Sequence, residues 1–138
     1  SAGIPGGVAT VVNGNNLVTG WDKTAPVFTA PTATALAAAS WTNSSGGGQL
    51  TCTISTAFPA TSQLLSSHIT VASSAALAGG SLAHPGTDTS ACNGTTSTTF
   101  ARNLVVGSSW TYGITAAGLA AASPGSHVQT MTYTPTSL

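Results

Sequence analysis

Apart from Cys52, Cys92 and the phenols of Tyr112 and Tyr133, the side chains that could move a proton or carry charge are Asp22, Lys23, Asp88, Arg102, His68, His84 and His127. Catalysis needs such groups close together. A carboxylate pair can only be Asp22 with Asp88, and both fall in turn-like stretches. A Ser/His/Asp triad can be composed on paper, but no Gly-x-Ser-x-Gly elbow occurs, and Ser108 and Ser109 after Gly107 lack the second glycine. The histidines form neither a His-x-His nor a His-x3-His pair, and neither cysteine has a partner at Cys-x-x-Cys spacing. Gly46, Gly47 and Gly48 lack the lysine of a phosphate loop and read as a hinge or loop. The expectation is a protein that is not an enzyme and holds no metal and no cofactor.

Aromatic rings are the remaining route to chemistry. Trp21, Trp41 and Trp110, with Tyr112 and Tyr133, could offer flat faces to sugar rings. The competing reading is core packing, the commoner fate of alternating aromatic residues in a sandwich.

Charge narrows the field of partners. Only 3% of the 138 residues are charged, against about a quarter in an ordinary soluble domain. One lysine and one arginine cannot build a phosphate-binding patch, which argues against nucleic acid. No apolar run approaches the roughly 18 residues of a membrane span. With 41% apolar residues and zero net charge the composition is not that of a disordered chain. Such a surface repels its own copies weakly, which suits self-association. The chain opens Ser1-Ala2-Gly3 and reads as a processed, secreted form. Cys52 and Cys92 are read as a disulfide of an extracytoplasmic domain or as two buried thiols, the first preferred; closing that loop is worth about 4 kcal/mol in the chain-entropy account. Asn43 and Asn93 head glycosylation triplets.

The elements that would position these residues are short strands. In residues 49–56, Leu50, Cys52 and Ile54 alternate with Thr51, Thr53 and Ser55. In residues 110–115, Trp110, Tyr112 and Ile114 alternate with Thr111, Gly113 and Thr115. Further strands are expected at residues 8–12, 17–21, 26–29, 32–42, 67–73, 95–106 and 126–134, with turns at Asn13-Gly14 and Pro124-Gly125. Residues 75–83 are small and apolar and suggest a helical turn. About eight short strands at this spacing predict an all-β, mainly antiparallel sandwich over residues 13–138. Its expected core is Leu50, Ile54, Ile69, Val71, Phe100, Leu104, Trp110, Tyr112, Ile114 and Val128. Residues 1–12 are expected to be a flexible segment with an alternating end at Val8, Thr10 and Val12.

The run Pro124-Gly125-Ser126-His127-Val128-Gln129-Thr130-Met131-Thr132-Tyr133-Thr134 resembles the closing strand of secreted Ig-like pilins of chaperone–usher type. The loop enclosed by Cys52 and Cys92 is similar in length to the one bridged in many such pilins. The first cysteine lies later in this chain than in theirs, and residues continue beyond Tyr133. The resemblance implies an Ig-like sandwich that serves as a structural subunit of an extracellular filament. Its partner would be copies of itself, joined by a donor strand for which Val8, Thr10 and Val12 are the candidates. The alternative is a secreted carbohydrate-binding or adhesive module that uses Trp21, Trp41 and Trp110 on host or surface glycans.

Overall fold

The computed structural model describes residues 8–13, 18–22, 27–32 and 35–138, with side chains from residue 35 onward. The expected lead-in at residues 1–7 and the turn after Asn13 lie outside the described residues. Among the described residues there are nine strands: β1 (Val8–Asn13), β2 (Val18–Asp22), β3 (Val27–Thr32), β4 (Ala35–Thr42), β5 (Gly48–Thr56), β6 (Ile69–Ala75), β7 (Asn93–Phe100), β8 (Val106–Ile114) and β9 (Thr130–Ser137). One short helix, α1 (Ala116–Ala121), follows β8. The first sheet has the order β1-β4-β8-β6, and the second the order β7-β5-β9. All their pairings are antiparallel. Among the described residues, strands β2 and β3 pair only with each other. The protein is therefore an all-β sandwich, as its strand pattern predicts.

Period-two alternation explains the core. In β5, Gly48, Leu50 and Cys52 are buried while their neighbours are not. In β8, Trp110 and Tyr112 are buried between half-buried Ser109, Thr111 and Gly113. Leu50 and Phe100 from the second sheet meet Ala38, Ile69, Val71, Val106, Trp110 and Tyr112 from the first, with Leu82 from a loop. Gly48 stands opposite Phe100 in register, and a Cβ there would lie 2.3 Å from the Phe100 ring. The missing side chain is what lets that ring lie flat on the strand.

Several expectations need correction. Leu104 is exposed because residues 95–106 are not one strand: β7 stops at Phe100, and the chain crosses to the other sheet. The crossing bends at Asn103, whose φ is 60° and whose N–H donates to the Thr42 carbonyl at 2.7 Å. Asn tolerates that left-handed conformation better than most residues. Val128 is 65% exposed because β9 begins only at Thr130, the loop before it being held by Gln129 to Ser66 and Thr89. Ile54 and Ile114 are half-buried toward the ends of their strands, Ile114 packing against the core from its margin. The last two strands, β8 and β9, whose adjacency in sequence suggests edges or neighbours of one sheet, belong to different sheets. Helix falls at α1 and not at residues 75–83, because Thr115 caps it by accepting the Gly118 N–H at 3.0 Å.

Candidate functional site

Two places bring the candidate residues together. The first is the gap between the sheets. Cys52 lies on the inward face of β5, and Cys92 lies just before β7. They form a disulfide with an S–S distance of 2.10 Å, fully buried. Beside it stands a polar cluster that the sequence does not announce. His84 comes from the loop between β6 and β7, Tyr112 from β8 and Tyr133 from β9. His84 Nδ1 is 3.0 Å from the Gly86 carbonyl oxygen, and its Nε2 is 2.8 Å from the Tyr133 hydroxyl. The Tyr133 and Tyr112 hydroxyls are 2.6 Å apart. Trp110 packs on the cluster, 5.0 Å from the His84 ring and 5.2 Å from the Tyr133 ring, and its Nε1–H donates to the Leu82 carbonyl at 2.8 Å.

Chemistry fixes the direction of this chain. A carbonyl only accepts, so His84 carries its proton on Nδ1. Burial pushes the His84 pKa below its ordinary value, against the smaller effect of the Gly86 bond, so the ring is neutral and Nε2 is a bare acceptor. Tyr133 must then donate to His84, and Tyr112 must donate to Tyr133. Burial raises the pKa of both phenols, which therefore stay protonated. The result is a one-way relay from Tyr112 through Tyr133 and His84 to Gly86, with every member neutral. Its effect is to tie a strand of each sheet to the intervening loop. One ligand atom each of His84, Cys52 and Cys92 lies within 4.8 Å of the others, but both sulfurs are spent in the disulfide and offer no thiolate to a metal.

The second place is the edge of the first sheet. There β1 pairs with β4 in an unbroken antiparallel register. Val8, Thr10 and Val12 stand opposite Thr42, Ser40 and Ala38. Those three β4 residues are the buried ones, with Ser40 and Thr42 turned into the protein despite their hydroxyls. The alternation noticed in residues 8–12 thus meets the alternation of β4 position by position.

Of the two tryptophans whose side chains are described, one is withdrawn from the surface. Trp110 is fully buried and offers no ring face to a ligand. Trp41 is half-buried on β4, and the side chain of Trp21 lies outside the described residues. His68 and His127 are far from the His84 cluster in their bonding: His68 Nδ1 accepts from the Leu65 N–H at 3.1 Å, and His127 Nε2 lies 2.9 Å from the Ser123 carbonyl oxygen. The signal for the relay was partial. Alternation places Trp110 and Tyr112 on one inward face, but nothing in the spacing of His84 or Tyr133 points to them.

Fold and site together define an antiparallel sandwich with one cross-linked, aromatic interior and an edge formed by β1 on β4. Comparison with known protein families, with curated proteins and with solved structures finds no match to this chain.

Proposed function

We propose that this protein is a structural subunit of an extracellular filament, assembled by exchange of β1 between copies. The observation that carries the reading is the register of β1 on β4, which sets Val8, Thr10 and Val12 against three buried positions at the sheet edge. A strand that pairs there within one copy can pair there between copies with the same hydrogen bonds, and an uncovered β4 edge is a template for it. The link from β1 to β4 favours exchange. It contains the β2–β3 hairpin, which joins no other strand among the described residues, so β1 can leave with its hairpin without unravelling the rest. The near-absence of charge removes a barrier to stacking identical copies.

Negative-stain microscopy of the purified protein tests this. Filaments are expected from the full chain, and none from a chain lacking residues 1–12 that stays folded by circular dichroism. Monodisperse full-length protein at high concentration would sink the proposal.

A further inference from the structure

The exposed large apolar side chains from residue 35 onward are not scattered. Leu65 and Val128 sit at one end of the sandwich, and Leu77, Leu104, Val105 and Leu138 at the other. The strands fix this division. Leu65 precedes β6 and Val128 precedes β9, and the hydrogen bond from Ser66 Oγ to Gln129 Oε1 at 2.7 Å joins their two loops. At the other end Leu77 follows β6 while Leu104 and Val105 precede β8, its antiparallel partner. Leu77 and Val105 close on the same small stretch. A Cβ on Gly107 would meet Leu77 at 2.6 Å, and one on Gly79 would meet the Val105 carbonyl oxygen at 2.3 Å. Between the ends runs about 20 Å of strand, at roughly 3.3 Å per residue.

Charge divides in the same way. Asp88 and Arg102 are the only Asp, Glu, Lys or Arg residues from position 35 onward. Asp88 bridges Thr70 at the start of β6, and its neighbour Thr89 is hydrogen-bonded to Ser66 and Gln129, so the carboxylate belongs to the Leu65–Val128 end. Arg102 is exposed in the crossing that carries Leu104 and Val105. Counting side chains from residue 35 onward, one end is apolar with a negative charge, and the other is apolar with a positive charge.

We propose that copies of this chain stack end to end, the Leu77–Leu104–Val105 end of one copy seated on the Leu65–Val128 end of the next, with Arg102 of the first facing Asp88 of the second. The occupant is a second copy because the two surfaces are complementary in charge and lie at opposite ends of one body. A contact between different patches is heterologous, and when the two patches lie at opposite ends of one body it repeats without closing into a ring and makes a fibre. Exposed apolar patches are where such contacts form, and the charge pair fixes polarity. The contact rests on the filament reading above and adds an axis to it: the filament runs along the strands.

The test uses the full-length chain, followed by sedimentation velocity and negative-stain microscopy. Arg102→Glu makes both ends negative and Asp88→Lys makes both positive, so each alone is expected to associate roughly tenfold more weakly than the wild type. A mixture of the two restores opposite charges at every junction and is expected to recover assembly. Because Asp88 accepts the Ser90 N–H and caps the turn at Thr89–Ala91, Val128→Lys serves as a second way to place positive charge at that end. Single variants that assemble like the wild type, or a mixture no better than its parts, would overturn the contact. If those variants assemble normally while loss of residues 1–12 abolishes filaments, end-to-end stacking is wrong and strand exchange stands. If the reverse is seen, the contact stands and strand exchange is wrong. A wild-type chain that remains monomeric overturns both.

Discussion

The Tyr112 hydroxyl of β8 donates to the Tyr133 hydroxyl of β9 at 2.6 Å, across the gap between the two sheets. The direction follows from His84, which must receive the Tyr133 proton. It makes the two tyrosines unequal. Tyr133→Phe leaves the His84 Nε2 and the Tyr112 hydroxyl both without a partner in a buried site. Each orphaned group costs about 1–3 kcal/mol. Tyr112→Phe removes a donor only, and Tyr133 keeps its bond to His84; about 1 kcal/mol is expected. Urea unfolding of the two variants checks the order. Equal losses would mean that the relay does not run in this direction.

Protonation of His84 is the weak point of the relay. Its folded pKa lies below the ordinary 6.5 because burial penalises the charged ring. The unfolded chain therefore binds the proton more readily than the folded one. Stability from this group is complete above the unfolded value and declines as pH falls through it toward the folded value. The urea midpoint is expected to drop between pH 7.5 and pH 5 by more in the wild type than in His84→Gln. A parallel decline in both would assign the pH dependence elsewhere.

Much of the fold was legible because alternation is a local signal. Leu50 and Cys52, and likewise Trp110 and Tyr112, declare an inward face without reference to the rest of the chain. The core assignments that failed, Leu104 and Val128, are apolar residues just outside strands. Their exposure depends on where the chain leaves a sheet. That is set by Asn103 binding Thr42 and by Gln129 binding Thr89, contacts distant in sequence. The relay was illegible for the same reason: His84 sits in a loop, and its role exists only once β8 and β9 face each other. The division of apolar and charged residues between two ends is likewise a property of the assembled sandwich.

The Cys52–Cys92 bridge ties β5 to the chain just before β7. Replacing both cysteines with alanine is expected to lower stability by about 4 kcal/mol through the freed unfolded chain, less whatever strain the bridge holds. The urea midpoint at fixed pH reads it. A midpoint unchanged within error would show that the adjoining pairing of β5 with β7 and β9 is sufficient alone.

Gly47 has a φ of +87°, and a Cβ there would lie 2.6 Å from the Phe100 carbonyl oxygen. Gly47→Ala is therefore opposed twice, by a left-handed backbone and by a collision with main chain that cannot swing away. The expected loss is about 1–3 kcal/mol, larger than for alanine at Gly80, where the nearest atom is a Val106 methyl at 3.6 Å and only the backbone objects. Thermal unfolding of the two variants compares them directly.

Strand exchange can be examined without any filament. If β4 accepts β1 from outside, a chain lacking residues 1–12 should be stabilised by a synthetic peptide of residues 1–13. Binding to the folded state alone raises stability by RT ln(1 + [L]/Kd), about 2.7 kcal/mol when the peptide is a hundredfold above Kd. The melting temperature should therefore climb with peptide concentration. A peptide carrying aspartate at Val8, Thr10 and Val12 should do nothing, because those positions stand opposite the buried Thr42, Ser40 and Ala38. A charge brought there would be stripped of water with no counter-charge nearby. Aspartate at Ala9, Val11 and Asn13 instead, opposite half-buried Trp41 and Ala39 and exposed Ala37, should be tolerated far better. Equal effects of the two altered peptides would mean that the peptide does not dock in this register, and the case for exchange of β1 would fall with it.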